Sequence, residues 1–74
     1  MKQGKLFYDK GCGRYNFYYK EDGIEMDYEG IHCGEAFEFN LNGVWVPARV
    51  EMYDDWYLVG LPGLKLEGLE VRRK

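Results

Sequence analysis

Apolar and polar residues alternate through most of this chain with the period of a β-strand. The pattern is clearest where Ala36–Leu41 and Val44–Met52 flank Asn42-Gly43, the strongest short-range hairpin signal. A two-residue loop there sets Leu41 opposite Val44, Phe39 opposite Val46 and Phe37 opposite Ala48, all on one face. Glu38, Asn40, Trp45, Pro47 and Arg49 fall on the other. Both strands assign the same inside and outside, so the register is well specified. A second hairpin follows through Tyr53-Asp54-Asp55 in one of two registers. A two-residue loop pairs Val50 with Val59 and Met52 with Tyr57. A three-residue loop pairs Val50 with Leu58 and Met52 with Trp56.

The first half reads the same way. Gly4–Asp9 is a strand and Lys10-Gly11-Cys12-Gly13 a turn. Arg14–Tyr19 carries Tyr15, Phe17 and Tyr19 on one face. After a Glu21-Asp22-Gly23 turn, Ile24, Met26 and Tyr28 alternate with Glu25, Asp27 and Glu29, which predicts a half-buried strand. Leu61-Pro62-Gly63-Leu64 is a turn, and Lys65–Val71 a last strand interrupted by Gly68. Five to six short strands in one β domain spanning residues 1–74 predict an all-β fold, either a small barrel or a rolled antiparallel sheet.

Composition strengthens this picture and closes several doors. There is no Ser or Thr in the 74 residues, so no Ser or Thr nucleophile and no phosphate-binding loop ending in Ser/Thr can be built. Alanine, the best helix former, occurs only as Ala36 and Ala48. The longest apolar stretch, Trp56–Leu61, is far short of the ~20 residues of a membrane span. No hydrophobic signal region opens the chain, so a cytoplasmic location is expected. Thirteen acidic against ten basic residues give a net charge of −3, which counts against nucleic acid as a partner. The one basic cluster, Arg72-Arg73-Lys74, reads as a solvated tail.

Two stretches resemble known groups. Asp54-Asp55-Trp56-Tyr57-Leu58-Val59-Gly60, with Gly68-Leu69-Glu70-Val71 after it, looks like the back half of an SH3-type barrel. More broadly, Gly4-Lys5-Leu6, Gly13-Arg14-Tyr15, His32-Cys33-Gly34-Glu35, Gly43-Val44-Trp45, Arg49-Val50-Glu51, Trp56–Gly60 and Gly68–Arg72 resemble the pattern of a family of short bacterial proteins known as a domain of unknown function. That resemblance implies a fold and a phage or mobile-element setting, and no activity.

The residues that could carry chemistry are few. Cys12, His32 and Cys33 lack the paired spacing of a zinc site, and adjacent His32 and Cys33 would point to opposite faces of a strand. The same geometry separates a Cys33 thiolate from a His32 base. Neither a metal, nor a cofactor, nor an enzyme is expected. Arg49 and Glu51 share a face with Trp45, and Arg49 is placed to stack on its ring.

The aromatic surplus is the stronger clue. Strands of this number and length fill about 15 core positions, yet 46% of the chain is apolar. Tyr8, Tyr18, Trp45, Tyr53, Trp56 and Tyr57 cannot all be inside. Tyr and Trp dominate binding hot spots. The expectation is therefore a non-enzymatic module that binds a protein or peptide, or a second copy of itself, through Trp45, Arg49, Glu51, Asp54, Asp55, Trp56 and Tyr57. The alternative is a barrel that stacks single-stranded nucleic acid on the same rings.

Overall fold

The computed structural model describes residues 1–74 and is all-β, with nine short strands and no helix. The strands are β1 (Lys2–Lys5), β2 (Phe7–Asp9), β3 (Arg14–Asn16), β4 (Tyr18–Glu21), β5 (Ile24–Asp27), β6 (Ala36–Leu41), β7 (Val44–Tyr53), β8 (Asp55–Leu58) and β9 (Glu70–Arg73). A five-stranded antiparallel sheet runs in the order β1-β9-β6-β7-β8, beside the two-stranded pairs β2-β3 and β4-β5. Of the two expected arrangements, the structure is an open, rolled one: β1 and β8 remain as edges, and the sheets do not close into a barrel.

Nine strands stand where five or six were expected, and two of the additional ones arise because two expected strands turn corners. Gly4–Asp9 breaks at buried Leu6, whose N–H and C=O bond to Leu69 and Gly68 instead of to a strand partner. Arg14–Tyr19 breaks at fully buried Phe17, where the chain passes from the β2-β3 pair to the β4-β5 pair. The last strand is shorter and later than expected. A turn closed by the Leu69 N–H on the Leu66 C=O holds Gly68 at φ 81°, and pairing begins only at Glu70.

The β6–β7 hairpin has the expected register at all six positions, from Ala36↔Arg49 to Leu41↔Val44. Asn42 and Gly43 both take positive φ, as a primed turn requires, and the Asn40 side chain accepts the Gly43 N–H at 2.8 Å. In β7–β8, Val50 pairs with Leu58 and Met52 with Trp56, which is the three-residue alternative, with Asp54 at φ 61°.

Phe37, Phe39, Val50, Leu58 and Val71 come from this sheet into the core, where they meet Leu6, Phe17, Tyr19, Ile31 and Leu66. The β4-β5 pair departs from expectation. Tyr19 is buried, but Ile24 and Met26 on the same face are 63% and 40% exposed, because the hairpin overhangs the core. Gly4 of β1 is pressed against β4 so closely that a Cβ would overlap the Tyr18 carbonyl oxygen.

Candidate functional site

The β7–β8 turn and the segment after β8 enclose a concavity lined mainly by hydrophobic residues. It is a cleft of about 630 Å³ lined by Tyr15, Tyr53, Asp55, Trp56, Tyr57 and residues 62–66. Tyr53 stands at its mouth, 79% exposed. Trp56 and Tyr57 are half-buried on opposite faces of β8, so the cleft wraps the edge of that strand. Asp55 turns its carboxylate back onto the Trp56 N–H at 2.8 Å, capping the outward donor of β8. The Leu61 N–H bonds to the Leu58 carbonyl and closes the far end of the same edge.

The electrostatics of the cleft are mixed, with an acidic bias at its floor. Burial raises the Tyr15 hydroxyl above the usual phenol range, and the nearby Asp55 and Glu67 carboxylates raise it further. Arg14 lies 5.8 Å from the Trp56 ring centre, and Lys65 lines the opposite wall.

Of the seven residues expected to form a site, the structure gathers Asp55, Trp56 and Tyr57 at this cleft. Exposed Asp54 occupies the turn beside them. Trp45, Arg49 and Glu51 do not line it; they lie on the outer face of the five-stranded sheet, with Glu51 directly across from Tyr57. That face carries a set of charge pairs, one within β7 and one across strands. Arg49 donates to Glu51 at 2.9 Å, and Arg72 donates to Glu38 at 2.9 Å. The guanidinium over Trp45 is that of Arg72, 4.0 Å from the ring centre, and not that of Arg49. Arg72 reaches the ring because β9 inserts beside β6, two strands from Trp45. The same insertion overturns the solvated basic tail. Arg72 and Arg73 are strand residues with carboxylate partners.

A second polar site was not visible as such in the sequence. His32-Cys33-Gly34-Glu35 forms a tight turn, with Gly34 at φ 88°. The Glu35 carboxylate accepts the His32 N–H at 2.7 Å, and the Gly34 and Val50 N–H groups dock the turn onto β7. The other Glu35 oxygen takes hydrogen bonds from the Tyr28 hydroxyl and from Arg73. Burial pushes the Glu35 carboxyl up, but these donors outweigh it and hold it below the usual range. The Tyr28 hydroxyl, desolvated and held by the Glu35 carboxylate, is pushed up to about 12. A Glu three residues after a turn-opening residue was the available signal, in the manner of a capping box, although no helix follows. The arrangement is a structural clamp: it ties β5, the turn and β9 together. Cys12 and Cys33 are free and exposed.

A family model described as a domain of unknown function (DUF5348) matches residues 4–73. The chain belongs to this family. A crystal structure of a protein from Ruminococcus gnavus is similar to this DUF5348 chain at 49% identity and a TM-score of 0.82, over 97% of this chain and 100% of that one. No curated protein matches the chain.

Proposed function

We infer that this DUF5348 chain is a non-enzymatic binding module that takes a peptide or protein segment in the cleft beside β8. The observation that carries the reading is Tyr53. A tyrosine 79% exposed stands at the mouth of an apolar cleft whose wall is Trp56. Rings of this kind provide large contact area at small conformational cost. The Asp54-Asp55 lip and the acidic bias around Tyr15 favour a basic or proline-rich segment, the preference of SH3-type grooves. The same acidic lip works against the alternative, single-stranded nucleic acid, because it repels phosphate. The phage or mobile-element setting is carried by the family resemblance, and a cytoplasmic location belongs to the same proposal.

The test is selection from a random peptide library on the wild-type chain, with Tyr53→Ala as the counter-bait. Tyr53 packs on little, so its removal leaves the fold intact. Enrichment of basic or proline-rich peptides that the variant loses, with Trp56 fluorescence changing on binding, supports the cleft. Equal recovery on both baits sinks it.

A further inference from the structure

The free edge of β8 is blocked by its own aspartate and by the Leu58–Leu61 bridge, whereas β5 has an edge that is open along its whole length. β5 pairs only with β4. The Tyr28 N–H bonds to the Phe17 carbonyl, which extends the β4-β5 ladder by one step and fixes its phase. Hydrogen-bonded pairs alternate along an antiparallel ladder, so Ile24 and Met26 turn their backbone groups toward β4. Glu25 and Asp27 turn theirs outward, and none of these four outward groups has a partner in the chain. All four strand residues are exposed.

Side chains give this edge a definite character. Ile24 and Met26, 63% and 40% exposed, continue the face that holds buried Tyr19. Glu25 and Asp27 lie on the other face. Between residues 21 and 29 the chain carries Glu21, Asp22, Glu25, Asp27 and Glu29 and no basic residue. The strand cannot sway freely. Asp27 accepts the buried Asn16 amide at 2.7 Å and the Glu29 N–H at 2.7 Å, and Asn16 in turn accepts the Gly30 N–H at 2.9 Å.

We propose that β5 is a docking edge for an extended segment of a partner protein in which basic and apolar residues alternate. Such a segment adds a third strand to the β4-β5 pair. Its main chain meets the unpaired groups of Glu25 and Asp27. Its apolar residues extend the Ile24-Met26 face, and its cations oppose the carboxylates. A second copy of this chain is the poorer occupant. Antiparallel pairing of β5 with itself sets Glu25 and Asp27 against like charges, which is destabilising. The surface is separate from the β8 cleft, and neither reading depends on the other.

Amide NMR of the intact chain tests this with a capped hexapeptide of alternating Lys and Val. Two controls are the Glu/Val counterpart and the Lys/Val peptide N-methylated at alternate residues. The expected result is a set of shifts centred on the Glu25 and Asp27 amides with the unmodified Lys/Val peptide alone. Glu25→Pro removes an outward N–H without removing a bond to β4, and should weaken binding by about tenfold or more. If that variant disturbs the hairpin, the N-methylated peptide answers the same question on the unaltered protein. Binding of the N-methylated peptide as tight as the unmodified one overturns the proposal. So do shifts centred on Trp56 and Tyr57, an absence of shifts up to millimolar peptide, or self-association through β5 in place of peptide binding.

Discussion

The β6–β7 and β4-β5 hairpins look alike in the sequence and behave differently in the structure. Both alternate apolar with polar residues. In β6, Phe37 and Phe39 are 3% and 0% exposed, sealed by neighbours on both sides of the strand. In β5, the equivalent alternation leaves Ile24 and Met26 in water. Alternation specifies that a strand has two unlike faces. Whether the apolar face is covered depends on what the rest of the chain brings to it. β6 lies at the centre of a five-stranded sheet, and β5 is the outer member of a pair.

The largest effect expected from this contrast is at Phe39. Truncation to Ala opens a cavity among Phe37, Val71 and the facing core, at about 3–5 kcal/mol. Small domains carry only about 5–15 kcal/mol in total, so Phe39→Ala should sit close to unfolding at ambient temperature. Chemical denaturation is the measurement; a loss under 1 kcal/mol, on the order of a surface change, would contradict the central role of β6.

Acid should separate the two hairpins. The Asn16 amide, and the Glu29 N–H after it, hold the Asp27 carboxyl below its ordinary value. The Glu35 carboxyl is also held down, by Tyr28, His32 and Arg73 against the opposing effect of burial. A carboxyl depressed in the folded state contributes stability above its unfolded pKa, and that contribution is lost as pH falls through the lower folded value. The β4-β5 hairpin and the 32–35 turn should therefore loosen below about pH 4, while the β6–β7 ladder keeps its amide protection. Hydrogen exchange at Met26 against Phe39 reads the difference, and simultaneous loss at both would show one cooperative unit instead of two.

The smallest effect belongs to Ile24. Ile24→Ala removes a side chain already mostly in water and should change stability by about 0.5 kcal/mol or less. A larger loss in thermal unfolding would mean that the overhanging face is covered in solution.

Much of the fold could be read from residues whose partners are near in sequence. Asn42-Gly43 sets the phase of twelve following and preceding strand positions, and the structure keeps that phase at all six pairs. The choice between two β7–β8 registers could not be read, because Asp54-Asp55 satisfies either loop until Asp54 takes its positive φ. Long-range placement was also out of reach. Nothing local to Arg72 announces that β9 slides between β1 and β6, so its contact with Trp45 could not be foreseen. For the site, the acidic-aromatic run Asp54–Tyr57 marked one wall of the cleft. Pro62, Leu64 and Leu66 form the other wall, and they read only as turn and strand. Trp45, Arg49 and Glu51 shared a face as expected, but that face satisfies itself through Arg72, Glu38 and the Arg49–Glu51 pair.

The place of β9 has a consequence for how the molecule comes into being. β1 pairs with β9 from Lys2↔Arg73 to Lys5↔Glu70, and β9 also holds Glu38 and Phe39 of β6. The Lys2↔Arg73 pair joins residues almost a whole chain apart, whereas the β6–β7 hairpin closes through a two-residue turn. Contacts so distant carry the larger loop-closure cost, so the pairing of β9 that completes the central sheet is expected to trail the hairpin in folding.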